Sequence, residues 1–417
     1  MPVNGEWERR SRSVFLDILT FWRSDDPADG KKGVFDKPTA HRFVEHIARK
    51  NGVDMVIQLA GYRSGVHRVA GKRILVPKRD KLVTPKKGDF EFLDRALKSV
   101  FDETQRHVFL SWLKNVVSKY YDQKDAFNQC LFMIGPSNTG KSFIHAVTEA
   151  CVGYTRADPY QFMVGNTEFN RELITSALWP LEDPPPLPDR SLGFFVNRTK
   201  QAVATHTKTL RALHQNGETL CPRIVLQISM NDNEVNQSLI PAYEPGIADK
   251  FVCLLMENRN AFPVKGFERL DNVDAIQKQI REEIAGFLWY LRNDYVIPDW
   301  LLRNVKQGDS SGTRYGVDSW WHPDIIDMSK ETSESDIFLK VLDEWLSAQS
   351  LNPVSIHAKE LCSQLKMCVA IDNAERFGNN PKSVGQKLRE LAVNYPGRVR
   401  KGTKTNKGVL WLLSKDG

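Results

Sequence analysis

Residues 135–142 read Gly-Pro-Ser-Asn-Thr-Gly-Lys-Ser and satisfy the pattern G-x-x-x-x-G-K-[ST] at every fixed position. The flanks give that pattern mechanical meaning. Before it, Cys130-Leu131-Phe132-Met133-Ile134 is an apolar run of the length of a buried strand; after it, residues 143–151 have the periodicity of a helix ending near Gly153. A strand feeding a glycine loop that opens a helix leaves backbone N–H groups pointing inward. They and the helix dipole hold a polyphosphate. Gly135, Pro136, Ser137, Asn138, Thr139, Gly140, Lys141 and Ser142 are therefore the candidate nucleotide-binding residues. In such a loop Lys141 reaches the β- and γ-phosphates of ATP, and the Ser142 hydroxyl ligates Mg²⁺.

A chain of 417 residues has room for two or three domains, and 41% hydrophobic with 26% charged residues is ordinary for a globular protein. No apolar run approaches a membrane span, and the opening Met1-Pro2-Val3-Asn4-Gly5-Glu6-Trp7 lacks the pattern of a signal peptide. Cys130, Cys151, Cys221, Cys253, Cys362 and Cys368 are scattered without a C-x-x-C pair, which suits reduced residues of a cytoplasmic protein. His41 and His46 share a helix face but have no third ligand beside them, and neither H-E-x-x-H nor G-x-S-x-G occurs.

The net charge of +7 gains meaning from its placement. Residues 61–90 carry Arg63, Arg68, Lys72, Arg73, Lys78, Arg79, Lys81, Lys86 and Lys87 against Asp80 and Asp89. Residues 396–408 carry Arg398, Arg400, Lys401, Lys404 and Lys407 with no acid. A solvated loop explains either cluster taken alone. The second, however, follows helical patterns over 336–348, 356–367 and 382–393 and precedes the apolar strand 409–413. Short helices followed by a basic hairpin are the layout of a winged helix, whose wing touches phosphates of duplex DNA and which also serves as a docking module.

Four parts follow: a basic α+β region over 1–90, a helical collar and nucleotide core over 91–265, a helix and linker over 266–333, and a winged helix over 334–417. Helices are expected over 10–22, 40–50 and 274–293, strands over 53–59 and 73–76, and a pair of helices over 91–121 with Asp102-Glu103-Thr104 capping the second. Residues 306–333 read as loop, although Trp320-Trp321-His322-Pro323 suggests docking. Alternating apolar strands and helices through the core indicate an α/β layered sheet.

Hydrolysis needs acids and a polar group near the γ-phosphate. The run Ala177-Leu178-Trp179-Pro180-Leu181 closes on Glu182 and Asp183, the candidate acids, with Asp183 assigned beside Ser142 to the metal. Asn231 closes the apolar strand 223–230 at the ligand-facing edge of a parallel sheet, although an Asn-Asp turn has the same sequence.

The order of phosphate loop, acidic strand end, basic segment and Ser229-Met230-Asn231-Asp232 resembles the superfamily 3 helicases of small viruses. It is closer to the ATPase part of phage and mobile-element primase-helicases. The resemblance runs from about Leu59 through Ala60-Gly61-Tyr62-Arg63-Ser64-Gly65-Val66-His67, Gly165-Asn166-Thr167-Glu168-Phe169-Asn170-Arg171-Glu172-Leu173 and Ala248-Asp249-Lys250-Phe251. It implies an α/β AAA+ core and a homo-oligomer, hexameric by the family's habit. It further implies nucleotide held between subunits, with Lys250 or Arg259 acting across the interface. Thr205-His206-Thr207-Lys208, or the adjacent 211–217 segment beginning at Arg211, would by the same resemblance line a channel for single-stranded DNA. From the residues alone that stretch is equally a polar solvent loop.

Relatives tend to carry a further glutamate after the acidic pair, where this chain has Pro184, so either Glu182 and Asp183 take the metal and water roles or catalysis is weakened. No acid triad of a primase precedes the phosphate loop. The expectation is a DNA-dependent ATPase, a helicase or replication initiator of a phage or mobile element, served by a separate primase or polymerase. The alternatives are an oligomeric DNA-binding ATPase switch that recruits replication or defence partners without unwinding, and, less well matched to a basic wing, a small-molecule kinase.

Overall fold

The computed structural model describes residues 2–3, 6–7, 52–77, 82–124, 127–185, 189–211, 217–232, 239–241, 243–244, 246–257, 266–267, 272–308, 314–332, 334–368, 377–406 and 408–415. The expected helices over 10–22 and 40–50, with His41 and His46, lie outside the described residues, as do Arg259, Lys407, Lys78, Arg79 and Lys81. The chain divides into two compact units, Met1–Leu239 with Pro245–His322, and Ile240–Glu244 with Pro323–Gly417.

In the first unit, β1 (Met55–Val56), β2 (Gly65–Val69) and β3 (Lys72–Val76) form a small sheet in the order β1-β3-β2. Helices α1 (Glu91–Val100) and α2 (Glu103–Tyr121) follow. Asp102 caps α2 as expected, accepting from the Gln105 N–H at 2.8 Å. The central sheet then begins with β4 (Cys130–Ile134), which leads through the phosphate loop into α3 (Lys141–Val152). Next come β5 (Leu178–Glu182), α4 (Asp189–Ala204), the hairpin β6 (Lys208–Leu210) and β7 (Glu218–Leu220), then β8 (Val225–Met230) and β9 (Phe251–Leu255). Helix α5 (Val273–Asn293) and the short strand β10 (Trp320–Trp321) complete the unit.

The central sheet has five strands in the order β10-β9-β4-β8-β5, every pair parallel. Every residue of β4, β8 and β9 is buried, so β4 and β9 read as unbroken apolar runs rather than alternations, and β8 as one interrupted only by Gln227 and Ser229. Pro180 sits in β5 opposite Gln227, at the sheet edge where a missing N–H costs no ladder bond. One face is closed by α1, α2, α3 and α5, whose Phe92, Trp112, Val116, Ile144, Val147 and Phe287 share a single apolar cluster. The expected linker over 306–333 is not all loop. Trp321 buries its ring edge-on to Phe251 and donates its Nε1 to the Ala248 carbonyl at 3.0 Å, which makes β10 the fifth strand.

The second unit comprises α6 (Pro323–Thr332), α7 (Glu334–Ser347), β11 (Val354–His357), α8 (Ala358–Met367), α9 (Pro381–Asn394), β12 (Val399–Thr405) and β13 (Gly408–Leu413). Its antiparallel sheet has the order β11-β13-β12. Phe338, Trp345, Leu361, Leu388, Leu391 and Trp411 form its core. The helix expected from 356 starts two residues later. Val354 and Ile356 instead pair with Leu413 and Trp411, a use that suits β-branched side chains.

Candidate nucleotide site and basic surfaces

The strand order decides which residues can meet. With β8 inserted between β4 and β5, the residues that follow these three strands emerge side by side at their carboxyl ends, the ligand-facing edge of a parallel sheet. Gly135 leaves β4 at φ 156, and a Cβ there would lie 2.1 Å from the Met256 carbonyl oxygen. Gly140 caps α3 in the left-handed region at φ 97, a conformation glycine adopts without steric cost.

Lys141 turns its ammonium back into the loop. It donates to the carbonyls of Gly135 and Pro136, both at 2.7 Å, and to Asn231 Oδ1 at 3.1 Å. Asn231 Oδ1 also accepts from the Ser137 hydroxyl at 3.3 Å. Burial lowers the Lys141 pKa, against the opposing pull of Asp183 and Asp232. The Ser142 hydroxyl donates to Glu182 Oε2 at 3.2 Å, so the acid beside this serine is Glu182. Asp183 is exposed, with its backbone in the left-handed region at φ 43 and its N–H donating to the Ser229 carbonyl at 2.8 Å.

Glu182 has a further partner that no sequence pattern singles out. Arg156 donates to its Oε1 at 2.6 Å and lies 3.6 Å from Glu149. Burial works to raise the Glu182 pKa, but the neighbouring His145, the Arg156 guanidinium and the Ser142 hydroxyl outweigh it and hold the carboxyl below its usual range. Beneath the loop, His145 on α3 is buried, with Nδ1 at 2.8 Å from Gln227 Oε1 and Nε2 at 3.0 Å from the Ser229 hydroxyl. Gln227 donates its amide to Thr148 at 2.7 Å, so its oxygen faces the imidazole. Burial pushes the His145 pKa down to about 4, leaving the ring neutral. Gln227 interrupts an apolar strand and was legible as an oddity; nothing in the spacing marks Arg156.

The donor set suits Mg²⁺. A hydroxyl and two carboxylates are hard oxygen ligands, and Mg²⁺ is commonly held by one or two carboxylates together with substrate phosphates. Among the described residues no group of three or more His, Cys, Asp and Glu could hold a metal, so phosphate oxygens would have to complete the sphere.

The segment between β5 and β8 contains the β6–β7 hairpin, and its candidates are unequal. His206 is exposed and packs on Phe127 with ring centroids 3.7 Å apart. Lys208 instead spends its ammonium on the carbonyls of Gln201, at 2.5 Å, and Thr205 at the end of α4. Burial lowers its pKa to about 8. Arg211 is exposed but ion-paired with Glu168. Asn170 ties the same segment down, accepting from the Arg211 N–H and donating to the Thr209 carbonyl, each at 2.8 Å. Lys250 is likewise engaged, with Gly246 at 2.6 Å and Asp249 at 2.8 Å.

In the second unit, Arg400, Lys401 and Lys404 project from β12 into solvent, whereas Arg398 is held by Asp343 of α7. A groove of about 570 Å³ lies beside this strand pair, lined by Lys359, Lys382, Gln386, Arg389 and Trp411. Its α8 and α9 residues carry no signal in the sequence, because a cation on a helix surface is ordinary. The six cysteines are all free thiols, and no described helix is long and apolar enough to cross a membrane.

These features define a mixed α/β protein with a five-stranded parallel sheet and a phosphate-loop-like core. The chain is similar to an apo structure of the NrS-1 C-terminal region, with a TM-score of 0.50 and 14% identity over 87% of this chain and 84% of that one. A second apo structure of that region, residues 305–718, gives 0.50 and 12% over the same shares. The JCV helicase is similar at a TM-score of 0.31 and 12% identity, over 54% of this chain and 66% of that one. The NrS-1 likeness is one of fold. No protein-family model matches the chain, and no curated protein matches it.

Proposed function

We propose that the protein is a DNA-dependent ATPase of the AAA+ type, a helicase or replication initiator of a phage or mobile element that works as a homo-oligomer, most simply a hexamer. The observation that carries this reading is the convergence of Lys141, Ser142, Glu182 and Asn231 at one edge of the sheet, linked by contacts of 3.1 Å and 3.2 Å. The fold likeness and the order of motifs support it.

Bound Mg²⁺ supplies charge neutralisation of the phosphates. Ser142 and Glu182 would hold it, a shift from the sequence-based pairing of Ser142 with Asp183. That leaves Asp183 to orient the attacking water, with Asn231 reading the γ-phosphate and Lys141 exchanging the Gly135 and Pro136 carbonyls for phosphate oxygens. Lys250 would act on the neighbouring subunit's nucleotide once released from Asp249. His206 and Arg211 would face single-stranded DNA. The second unit, as a winged helix, would meet duplex phosphates through Arg400, Lys401 and Lys404.

One observation favours a second reading. Lys208 and Arg211 are both committed to partners within the chain, as suits an oligomeric switch that binds DNA and recruits replication or defence partners without moving along it. Strand displacement on a forked duplex with Mg-ATP separates the two. Unwinding that requires Lys141, by a six-membered ring in electron micrographs, supports the helicase; DNA-stimulated turnover without displacement supports the switch.

A further inference from the structure

Arg156 is placed where it touches both walls of the candidate metal site. Its backbone runs as a parallel bridge beside Leu178, the first residue of β5. Around it Ala157 donates to the Leu178 carbonyl at 3.1 Å, Leu178 to the Thr155 carbonyl at 3.0 Å, and Ala177 to the Thr155 hydroxyl at 3.0 Å. The arginine is thereby fixed to the strand that ends in Glu182. Its guanidinium spans to Glu149, which belongs to α3, the helix that carries Ser142 in its first turn.

The two oxygens of Glu182 are divided between two donors. Oε1 accepts from Arg156 at 2.6 Å, and Oε2 accepts from Ser142 at 3.2 Å. A carboxylate held at one oxygen by a charge-assisted bond cannot swing freely, so its other oxygen stays turned to the serine. Glu149 has a separate effect. At 3.6 Å from the guanidinium it offsets the arginine's charge, so Arg156 can orient Glu182 without adding net positive charge beside the seat of a dication.

We infer that Arg156, offset by Glu149, is a positioning residue that sets Glu182 toward Ser142 for Mg²⁺; this rests on the nucleotide-site reading above. Groups behind a metal ligand typically change metal affinity by about ten- to a hundredfold when removed. Arg156 and Glu182 are partly exposed, with side-chain accessibilities of 46% and 34%, which places the effect at the lower end.

The test uses the full chain and a fluorescent ATP analogue, titrated in EDTA and across a Mg²⁺ series, with thermal midpoints taken alongside. Arg156→Ala is expected to bind the analogue like the parent in EDTA, yet to need about tenfold more Mg²⁺ for half of the metal-dependent gain in affinity. Arg156→Lys, which keeps the charge but not the fork, should fall between the two. Glu149→Gln should shift the Mg²⁺ midpoint the same way by a smaller factor, since it leaves the guanidinium uncompensated. A Mg²⁺ midpoint in Arg156→Ala equal to or below the parent's overturns the inference. So does a fall in EDTA binding and thermal midpoint with no Mg²⁺ shift, which would make the arginine a purely structural tie. A parent that binds no analogue at all, indistinguishable from Lys141→Ala, removes the nucleotide-site reading and this inference together.

Discussion

Asn231 Oδ1 stands 3.1 Å from the Lys141 ammonium, although 90 residues separate them in the chain. The contact exists because β8 lies between β4 and β5, so the end of β8 comes out beside the phosphate loop. It gives Asn231 a definite neighbour at the phosphate loop. It also identifies a bond that must rearrange if Lys141 is to reach a phosphate.

Lys141→Ala is the most direct probe of the loop. The side chain is no surface cation: it is 7% exposed and bonded to two loop carbonyls. Its removal should abolish ATP turnover and also loosen the loop, at a stability cost of about 1–2 kcal/mol. That corresponds to roughly a few degrees in thermal midpoint for a domain of this size. Normal turnover in the folded variant would end the phosphate-loop interpretation.

The two acids should separate cleanly. Glu182 touches Ser142, so Glu182→Gln should weaken Mg-ATP binding. Asp183 has no such contact with the serine hydroxyl, and as the residue orienting water its loss should act on the chemical step, by about 10²–10⁴-fold. Asp183→Asn should therefore bind Mg-ATP well, turn over hardly at all and accumulate as an assembled, DNA-bound state. Turnover and nucleotide affinity in both variants check the assignment. The reverse pattern would restore Asp183 to the metal, and vigorous hydrolysis in both would place the acids elsewhere.

Much of this was legible in the sequence because the signals are local. The phosphate loop, the buried parallel strands, the Asp102 cap, the helix ending at Asn293 and the one expected over 382–393, which runs Pro381–Asn394, all follow from short-range pattern. What the sequence left hidden depended mostly on partners far along the chain. Trp320-Trp321 looked like loop because a two-residue strand has no periodicity; only Phe251 and Ala248 reveal why it docks. Lys208 looked like a free cation because its residue type does not announce a turn back onto the carbonyls of Gln201 and Thr205 just upstream, and Arg398 because Asp343 lies far away in the chain. Arg156 was missed for the same reason, since its two acids come from different elements.

The buried imidazole predicts a pH dependence of stability. His145 titrates near 6.5 in an unfolded chain and at about 4 in the folded one, where burial disfavours its charged form. As pH falls below 6.5 the unfolded chain takes up the proton first. The stabilisation is thus fully present above 6.5 and is lost progressively down to about 4. The full loss amounts to about 3 kcal/mol. Denaturant midpoints measured between neutral pH and pH 4 should show this limb, and His145→Gln, though less stable at pH 7, should lack it. An unchanged limb in that variant would mean that other groups cause it.

The basic hairpin of the second unit gives the last prediction, altered by what the structure shows of its arginines. Arg398 is engaged with Asp343, its neighbour on α7, and its guanidinium is only partly accessible. Arg398→Ala should therefore act on the stability of the unit rather than on DNA. Arg400, Lys401 and Lys404 are exposed along β12, and Arg400 donates its Nε to the Pro396 carbonyl at 3.0 Å. Replacing these three with alanine leaves up to three phosphates without a cation. Duplex affinity should fall, and the slope of log affinity against log salt should flatten by roughly 0.9 for each phosphate no longer neutralised. Basal ATPase should persist, because the nucleotide residues all belong to the first unit. The α9 face offers a control of different kind. Gln386 and Arg389 are exposed there beside Lys382, so alanine at these positions should change the sequence preference of binding if α9 enters a groove. Affinity and salt slope identical to the parent in the triple variant would exclude β12 from DNA binding, and the second unit would then be a docking module for protein.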